Sequence, residues 1–417
     1  MTSTHAQQTP RALLPMIFIT VVINYMDRTN VAVAAPALSA DLDLSPAQMG
    51  LVFSAFAWTY SALQIPGGIV ADKFAARILY PVLLVGWSLA TLVQALANGL
   101  ATLIGARAVI GVFEAPSFPL NNRIVTEWIE PEKRASAIAF YTSGQFLGLA
   151  MLAPALVAVQ TVIGWRGLFV ATGLVGIAWA VIWYIFYRDP EKSAPQPSVS
   201  NAEPDQSLDA TSRDNSIVWK NRNLIGIYLG QFCLGTLTIF FLTWFPTYLV
   251  DYRGVEFADS GWLAAIPFIA AFCGVLLSGQ VSDRLVQRGY SHGFARKAPV
   301  LTGMLLSTII IAANFTDSTA MVIVFLSIAF FGNGLASIAW VFVSLMAPKG
   351  RVGLVGGIFN FCGALSAIVT PLTIGLVVDG ENFAPALFYI GFFAVVGTLS
   401  YLFLVREVRP VDEGIDT

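Results

Sequence analysis

Residues 68–73 read GIVADK, and residues 279–284 read GQVSDR. Each stretch carries a glycine, an acid four residues on, and then a base, at an offset of 211 residues. Each also closes a long apolar run. A second set of marks repeats beyond them: Pro131, Arg134 and Pro154 recur as Pro348, Arg351 and Pro371, each 217 residues later. A single glycine–acid pair would be weak. Two sets at nearly one offset, in corresponding loops and apolar segments, indicate an internal duplication.

The composition says what is duplicated. The chain has 417 residues, 56% hydrophobic and only 12% charged, and a mean hydropathy of +0.72. A soluble chain carries about 25% charged residues, and each membrane crossing needs roughly 20 apolar ones. Twelve such spans can be drawn, near 12–38, 48–70, 78–97, 99–121, 135–160 and 165–187, then 223–250, 259–282, 298–315, 319–346, 352–378 and 384–405. The expected fold is an all-α polytopic membrane protein with twelve transmembrane helices in two six-helix bundles. The first bundle is expected over 1–187 and the second, with a tail, over 223–417. Between them, 188–222 is rich in Ser, Pro, Asp and Asn and reads as a cytoplasmic linker.

Basic residues set the expected orientation. Of 23 Lys and Arg, Arg28 and Arg107 lie inside apolar spans and Arg166 and Arg253 in loops on the outer side. The other nineteen fall in the tails and in the loops after even-numbered spans, which places both termini in the cytoplasm of a plasma (inner) membrane protein. The first span is too long for a signal-peptide core and reads as retained. Cys233, Cys273 and Cys362 sit in apolar spans at unrelated spacings, and His5 and His292 are the only histidines, so neither a disulfide set nor a metal centre is expected. A nucleotide loop and a nucleophile constellation are likewise absent from the sequence. We therefore expect no enzyme, no cofactor and no nucleic-acid partner.

Four ionisable residues lie deep in the apolar spans: Asp27 and Arg28 in "INYMDRTNVAVAAP" (23–36), and Arg107 and Glu114 in "RAVIGVFEAPSFP" (107–119). A charge at the bilayer centre costs about 2.5–3.5 kcal/mol on insertion scales and usually faces a bundle interior or a wet cavity. Asp27 and Arg28 are adjacent, about 100° apart on a helix, and cannot neutralise each other on one face. Arg107 and Glu114 are seven apart, two turns, and share a face. An arginine can grip a carboxylate with two hydrogen bonds, and an acid can take up and release a proton. Arginines at such positions can thus hold a substrate carboxylate and acids can carry protons, with Arg107 expected in charge pairing.

The 67–77 stretch, GGIVADKFAAR, resembles the cytoplasmic loop motif of the major facilitator superfamily, with Ala75 and Ala76 where the family usually has a glycine and a basic residue. "NYMDR", "RAVIGVFEAPSFPLNNRIV" and "GWRGLFVATGLVGIAWAVIWYIFYRDP" are similar to the anion:cation symporter branch, above all to bacterial D-galactonate/hexuronate proton symporters. That resemblance runs over essentially the whole chain. It implies proton-coupled import of a sugar-acid anion by alternating access, with Asp27 and Glu114 as protonation sites. It implies a substrate site lined by Tyr25, Arg28, Tyr60, Gln145, Gln231, Ser337, Trp340 and Asn360. Gly68, Asp72, Lys73, Asp283 and Arg284 would form gating loops. Ala339, where a polar residue is usual, points to a shifted specificity. The expected partners are a small organic anion, protons and the bilayer, with the protein a monomer.

Two other readings stay open at this level. The aromatic run "TIFFLTWFPTYLVDY" (238–252) suits an exporter or transporter of an aromatic carboxylate. A membrane enzyme or receptor is the third, and the duplication argues against it.

Overall fold

The computed structural model describes residues 12–129, 131–190, 216–348, 351–378, 382–406, 408, 409 and 411. Most of the proposed linker and the two tails lie outside the described residues.

Helix α1 (Leu13–Leu42) runs to Asp43, which turns the chain at φ 51°. Helix α2 (Pro46–Ala62) starts with a capping box. Ser45 Oγ accepts from the Gln48 N–H, Gln48 Oε1 accepts from the Ser45 N–H, and Pro46 sits where no donor is needed. Helix α3 (Gln64–Lys73) continues it past a kink at Leu63, because Pro66 has no N–H to offer the Ala62 carbonyl. Helix α4 (Ala76–Ala95) is capped by Asp189, whose carboxylate accepts from the N–H groups of Ala76 (2.8 Å) and Arg77 (3.3 Å). Helices α5 (Leu100–Glu114) and α6 (Ser117–Trp128) part at Pro116. Helix α7 (Pro131–Phe186) has 56 residues and two arms that meet at Gly164, φ 71°, a backbone state that favours glycine.

The second half opens with the short α8 (Ser216–Lys220), followed by α9 (Arg222–Thr243), capped by the Asn221 side chain. A single turn, α10 (Phe245–Thr247), and a π-helical turn, Tyr248–Tyr252, complete that crossing. Next come α11 (Phe257–Gln287) and α12 (His292–Ser307), which tightens into a 3-10 segment, Thr308–Phe315. Helix α13 (Thr319–Ala336) passes through a 3-10 turn, Ser337–Ala339, into α14 (Trp340–Met346). Helices α15 (Val352–Val377) and α16 (Ala384–Leu399) end the fold, α16 leading into a π-helical turn, Ser400–Leu404.

Among the described residues nine stretches are long and apolar enough to cross a membrane. One of them, Phe140–Phe186, spans both arms of α7 and supplies two crossings. Two expected spans fall short for physical reasons. Asn24, Asp27, Arg28 and Asn30 make α1 polar, and the kink at Leu63 shortens α2. With α1 and α2–α3 restored, the twelve expected crossings are accounted for. Large apolar side chains such as Leu376 (74% exposed) and Phe186 (70%) project outward, as they must where hydrocarbon replaces water.

The two halves meet along α2–α15 and α7–α11, with α1 against α9 and α10 between them. Both main seams close at one end of the molecule. A methyl group on Gly50 would lie 2.5 Å from the Pro371 carbonyl oxygen, and one on Gly261 would lie 2.7 Å from Pro154 Cα. Trp244 adds to the first seam, stacking edge-on against Phe53 at 5.3 Å and donating from its indole to the Pro371 carbonyl. At the opposite ends of these crossings, Gly68 and Gly279 face open space.

Candidate functional site

Side by side in α1, Asp27 and Arg28 point in different directions, as their spacing requires. Asp27 is fully buried, facing α4 and the second arm of α7. Its Oδ1 accepts from Thr91 Oγ1 (3.1 Å) and Asn30 Nδ2 (3.3 Å), and Asn30 also donates to Thr172 Oγ1 (3.1 Å). Asp27 Oδ2 has no donor. Arg28 faces α2 and α5 instead. Its Nε lies 2.9 Å from Glu114 Oε2, and its guanidinium sits over the rings of Tyr25 (5.0 Å), Phe56 (4.8 Å) and Tyr60 (4.7 Å).

Arg107 behaves differently from the charge pairing expected of it. Its guanidinium lies over the same Phe56 ring at 5.2 Å, and Nη1 donates to the Asp27 main-chain oxygen at 3.2 Å. It makes no ion pair within 4.0 Å among the described residues. Two turns separate Arg107 from Glu114, about 10 Å along the axis, and Arg28 from the facing helix occupies the acid. Glu114 Oε1, like Asp27 Oδ2, lacks a donor.

Close packing of α2 on α5 holds this arrangement. Thr59 Oγ1 donates to the Ala108 carbonyl at 2.6 Å. Gly111 gives the room, since a side chain there would collide with Thr59 Oγ1 and the Phe56 carbonyl. Pro116 then breaks the helix just past Glu114, and Ser117 Oγ bonds the freed Glu114 carbonyl at 2.6 Å.

A cavity of about 190 Å³ opens beside the arginines, between the halves. Three helix stripes line it: Phe53, Ala57, Tyr60, Ser61 and Gln64 from α2–α3; Ile239, Leu242 and Thr243 from α9; Asn360, Ala364 and Ala367 from α15. Arg28, Arg107 and Phe56 complete the wall. Drug-sized ligands occupy pockets of about 300 Å³ upward, so this space fits a small solute. Its first-half wall is cationic and polar, while its second-half wall is mostly apolar.

Of the expected substrate residues, the cavity brings together Arg28, Tyr60 and Asn360, with Tyr25 packed behind Arg28. Gln145, Gln231, Ser337 and Trp340 are not part of this lining. Gln231 leans on Gly363 of α15, Ser337 lies in the 3-10 turn after α13, and Trp340 is 49% exposed and edge-on to Phe359. Phe56, Ser61, Gln64 and Thr243 line the cavity without having been singled out. The helical spacing of Phe53, Ala57, Ser61 and Gln64 was visible, but every face of an apolar helix offers such a stripe.

The gating positions divide in the same way. Asp72 and Lys73 are exposed at the end of α3, and Arg123 holds that end by donating to the main-chain oxygens of Ala71 and Phe74. Asp283 pairs with Arg296 at 3.0 Å, within the second half, and Arg284 is exposed.

Two helical halves around a small cationic cavity, with two buried carboxylates behind its wall, define a membrane transporter. The profile of the Major Facilitator Superfamily matches residues 17–371, and the chain belongs to that family. It is 47% identical to a D-galactonate transporter of Escherichia coli O6:H1 over 416 residues, covering 95% of this chain and 96% of the relative. It is 38% identical to a probable galactarate/D-glucarate transporter of Bacillus subtilis, covering 95% and 92%. Among solved structures, a bacterial homologue of the human lysosomal transporter Spinster, inward-facing and occupied, superposes with a TM-score of 0.77 at 19% identity, covering 93% of this chain and 95% of that one. At that identity the likeness is one of fold.

Proposed function

We propose that this protein imports a sugar-acid monoanion such as D-galactonate or a hexuronate together with protons, by alternating access between two six-helix units, 1–187 and 223–417, joined by the linker 188–222. The observation that carries the reading is the Arg28–Glu114 contact at 2.9 Å on the wall of the cavity. A substrate carboxylate entering there competes with Glu114 for Arg28. Displaced from its cation, a buried Glu114 is costly as an anion and takes up a proton. Asp27, already held only at Oδ1, is the second proton seat. With Arg28, Arg107, Asp27 and Glu114 all charged, the site is neutral. Each bound proton makes it more attractive to an anion.

Coupling to more than one proton answers the electrical problem of import. A negative interior opposes an entering monoanion by about 2.3 kcal/mol per 100 mV, and two protons convert the step into net inward positive charge. The bias of basic residues toward these loops supports a cytoplasmic position for the Asp72 and Asp283 ends, in a plasma (inner) membrane protein with both termini inside. The closed Gly50–Pro371 end is then the outer one, and the conformation is inward-facing. In this scheme Tyr25, Tyr60, Gln145, Gln231, Ser337, Trp340 and Asn360 reach the sugar chain over the cycle. Gly68, Asp72, Lys73, Asp283 and Arg284 form the inner gate when that end closes. The carrier works as a monomer and uses no cofactor.

Proteoliposomes test this directly. External D-galactonate should acidify the lumen, and an inside-negative potential should speed uptake. Undiminished coupled uptake in an Asp27→Asn, Glu114→Gln double variant overturns the reading. An aromatic carboxylate as cargo is favoured instead if, in a binding screen, aromatic acids bind and aldonates and uronates do not.

A further inference from the structure

Four buried polar atoms on residues lining the cavity have no hydrogen-bond partner: Arg28 Nη2, Arg107 Nε, Ser61 Oγ and Gln64 Nε2. Buried polar groups in folded proteins are ordinarily paired, so four such residues around one small space hold donors in reserve for a ligand that turns them inward. Three are nitrogen donors and the fourth is a hydroxyl. The missing partner is therefore rich in oxygen acceptors.

The two arginine atoms flank Phe56, whose ring lies under both guanidinium groups at 4.8 and 5.2 Å. That is the seat for a carboxylate. Ser61 and Gln64 are placed farther along the same wall. Ser61 directly follows Tyr60, which covers Arg28 at 4.7 Å. Gln64 is one turn beyond, roughly 6 Å along the helix axis from Tyr60. A six-carbon acid lying with its carboxylate at the arginines extends its hydroxyl-bearing chain past Ser61 and Gln64. The kink at Leu63 lies between these two residues in the chain.

We propose that Ser61 and Gln64 are specificity-determining residues that read hydroxyl groups of the sugar chain, so that polyhydroxylated acids are selected over bare carboxylic acids of equal length. This deepens the sugar-acid reading and rests on it. The physical basis is asymmetric discrimination. A site built to hydrogen-bond a hydroxyl rejects an analogue that lacks it, because its own polar groups are then left unpaired.

The test compares D-galactonate with hexanoate, a six-carbon monocarboxylate without hydroxyls, by calorimetric binding to the full-length protein in detergent. Wild type should bind galactonate well above hexanoate. Ser61→Ala and Gln64→Leu should each weaken galactonate binding about five- to tenfold and leave hexanoate binding unchanged, so the selectivity ratio collapses. Gln64→Asn, which keeps the amide, should retain part of that ratio. Galactonate binding at wild-type strength in Ser61→Ala and Gln64→Leu overturns the proposal. So does equal loss of both ligands, which would mean general damage to the site. Failure of the wild type to bind galactonate, glucuronate or glucarate overturns the sugar-acid reading itself, and this proposal with it.

Discussion

Gly50 meets Pro371 so closely that a methyl group on the glycine would lie 2.5 Å from the proline carbonyl oxygen. The same relationship recurs at Gly261 and Pro154. The two glycines are related by the 211-residue offset and the two prolines by the 217-residue offset of the internal repeat. Each half thus contributes one glycine and one proline, and each glycine closes on the proline of the other half. Backbone, with no flexible side-chain end to yield, is what an added Cβ would strike.

Gly50→Ala and Gly261→Ala should therefore disfavour the conformation in which this end is shut while leaving each half folded. Reporter Ala57→Cys, in the cavity wall, placed in a background with Cys233, Cys273 and Cys362 changed to serine, measures this. Labelling by a membrane-impermeant maleimide from outside should rise several-fold in each alanine variant. Unchanged labelling would show that the seam does not gate the cavity.

Glu114→Gln keeps the shape of the Arg28 contact and a hydrogen bond to its guanidinium, but removes the carboxylate's charge. With no carboxylate competing for Arg28, equilibrium binding of D-galactonate should be retained or strengthened. Uphill uptake driven by a pH gradient should fall at least tenfold. Parallel loss of both binding and uptake would assign Glu114 a structural role only.

Phe56→Leu removes the ring shared by Arg28 and Arg107. Cation–π contacts contribute about 0.5–2 kcal/mol each, and the two guanidinium groups would lose their common support. The expected result is a KM for the sugar acid raised several-fold, with Phe56→Tyr close to wild type. An unaltered KM in the leucine variant would mean that Glu114 and the Asp27 carbonyl suffice to orient the arginines.

Gly111→Ala would push α2 away from α5 against the Phe56 carbonyl and Thr59 Oγ1. Overpacking of this kind costs about 1–3 kcal/mol. The detergent melting midpoint should drop, whereas Gly279→Ala, facing open space, should melt as wild type does. Equal melting of Gly111→Ala and wild type would show that the α2–α5 contact relaxes freely.

The sequence made the crossings legible where periodicity and polarity were unmistakable. Gly164 and Asp43 turn the chain between expected spans, and Asp27 and Arg28 diverge as a 100° helical step requires. What stayed hidden was pairing at a distance. Nothing in local spacing says that Glu114 belongs to Arg28, 86 residues away, or that Arg107 reaches the main chain of Asp27. Ser61 and Gln64 looked like any polar residues in an apolar helix until α9 and α15 closed the space in front of them.

The sequence by itself determined that this is a duplicated, twelve-crossing membrane protein with four ionisable residues deep in the apolar spans of its first half. Hydrophobic length, charge bias and repeat offsets are properties of the chain, and hydrocarbon admits few ways to satisfy them. Only the tertiary structure decided which charge faces which, where the cavity lies, and that the repeat's glycines and prolines interlock across the halves. Those are contacts between helices far apart in sequence. Their geometry depends on how closely backbones approach, as at Gly50 and Gly111, and no residue pattern along one helix encodes that distance.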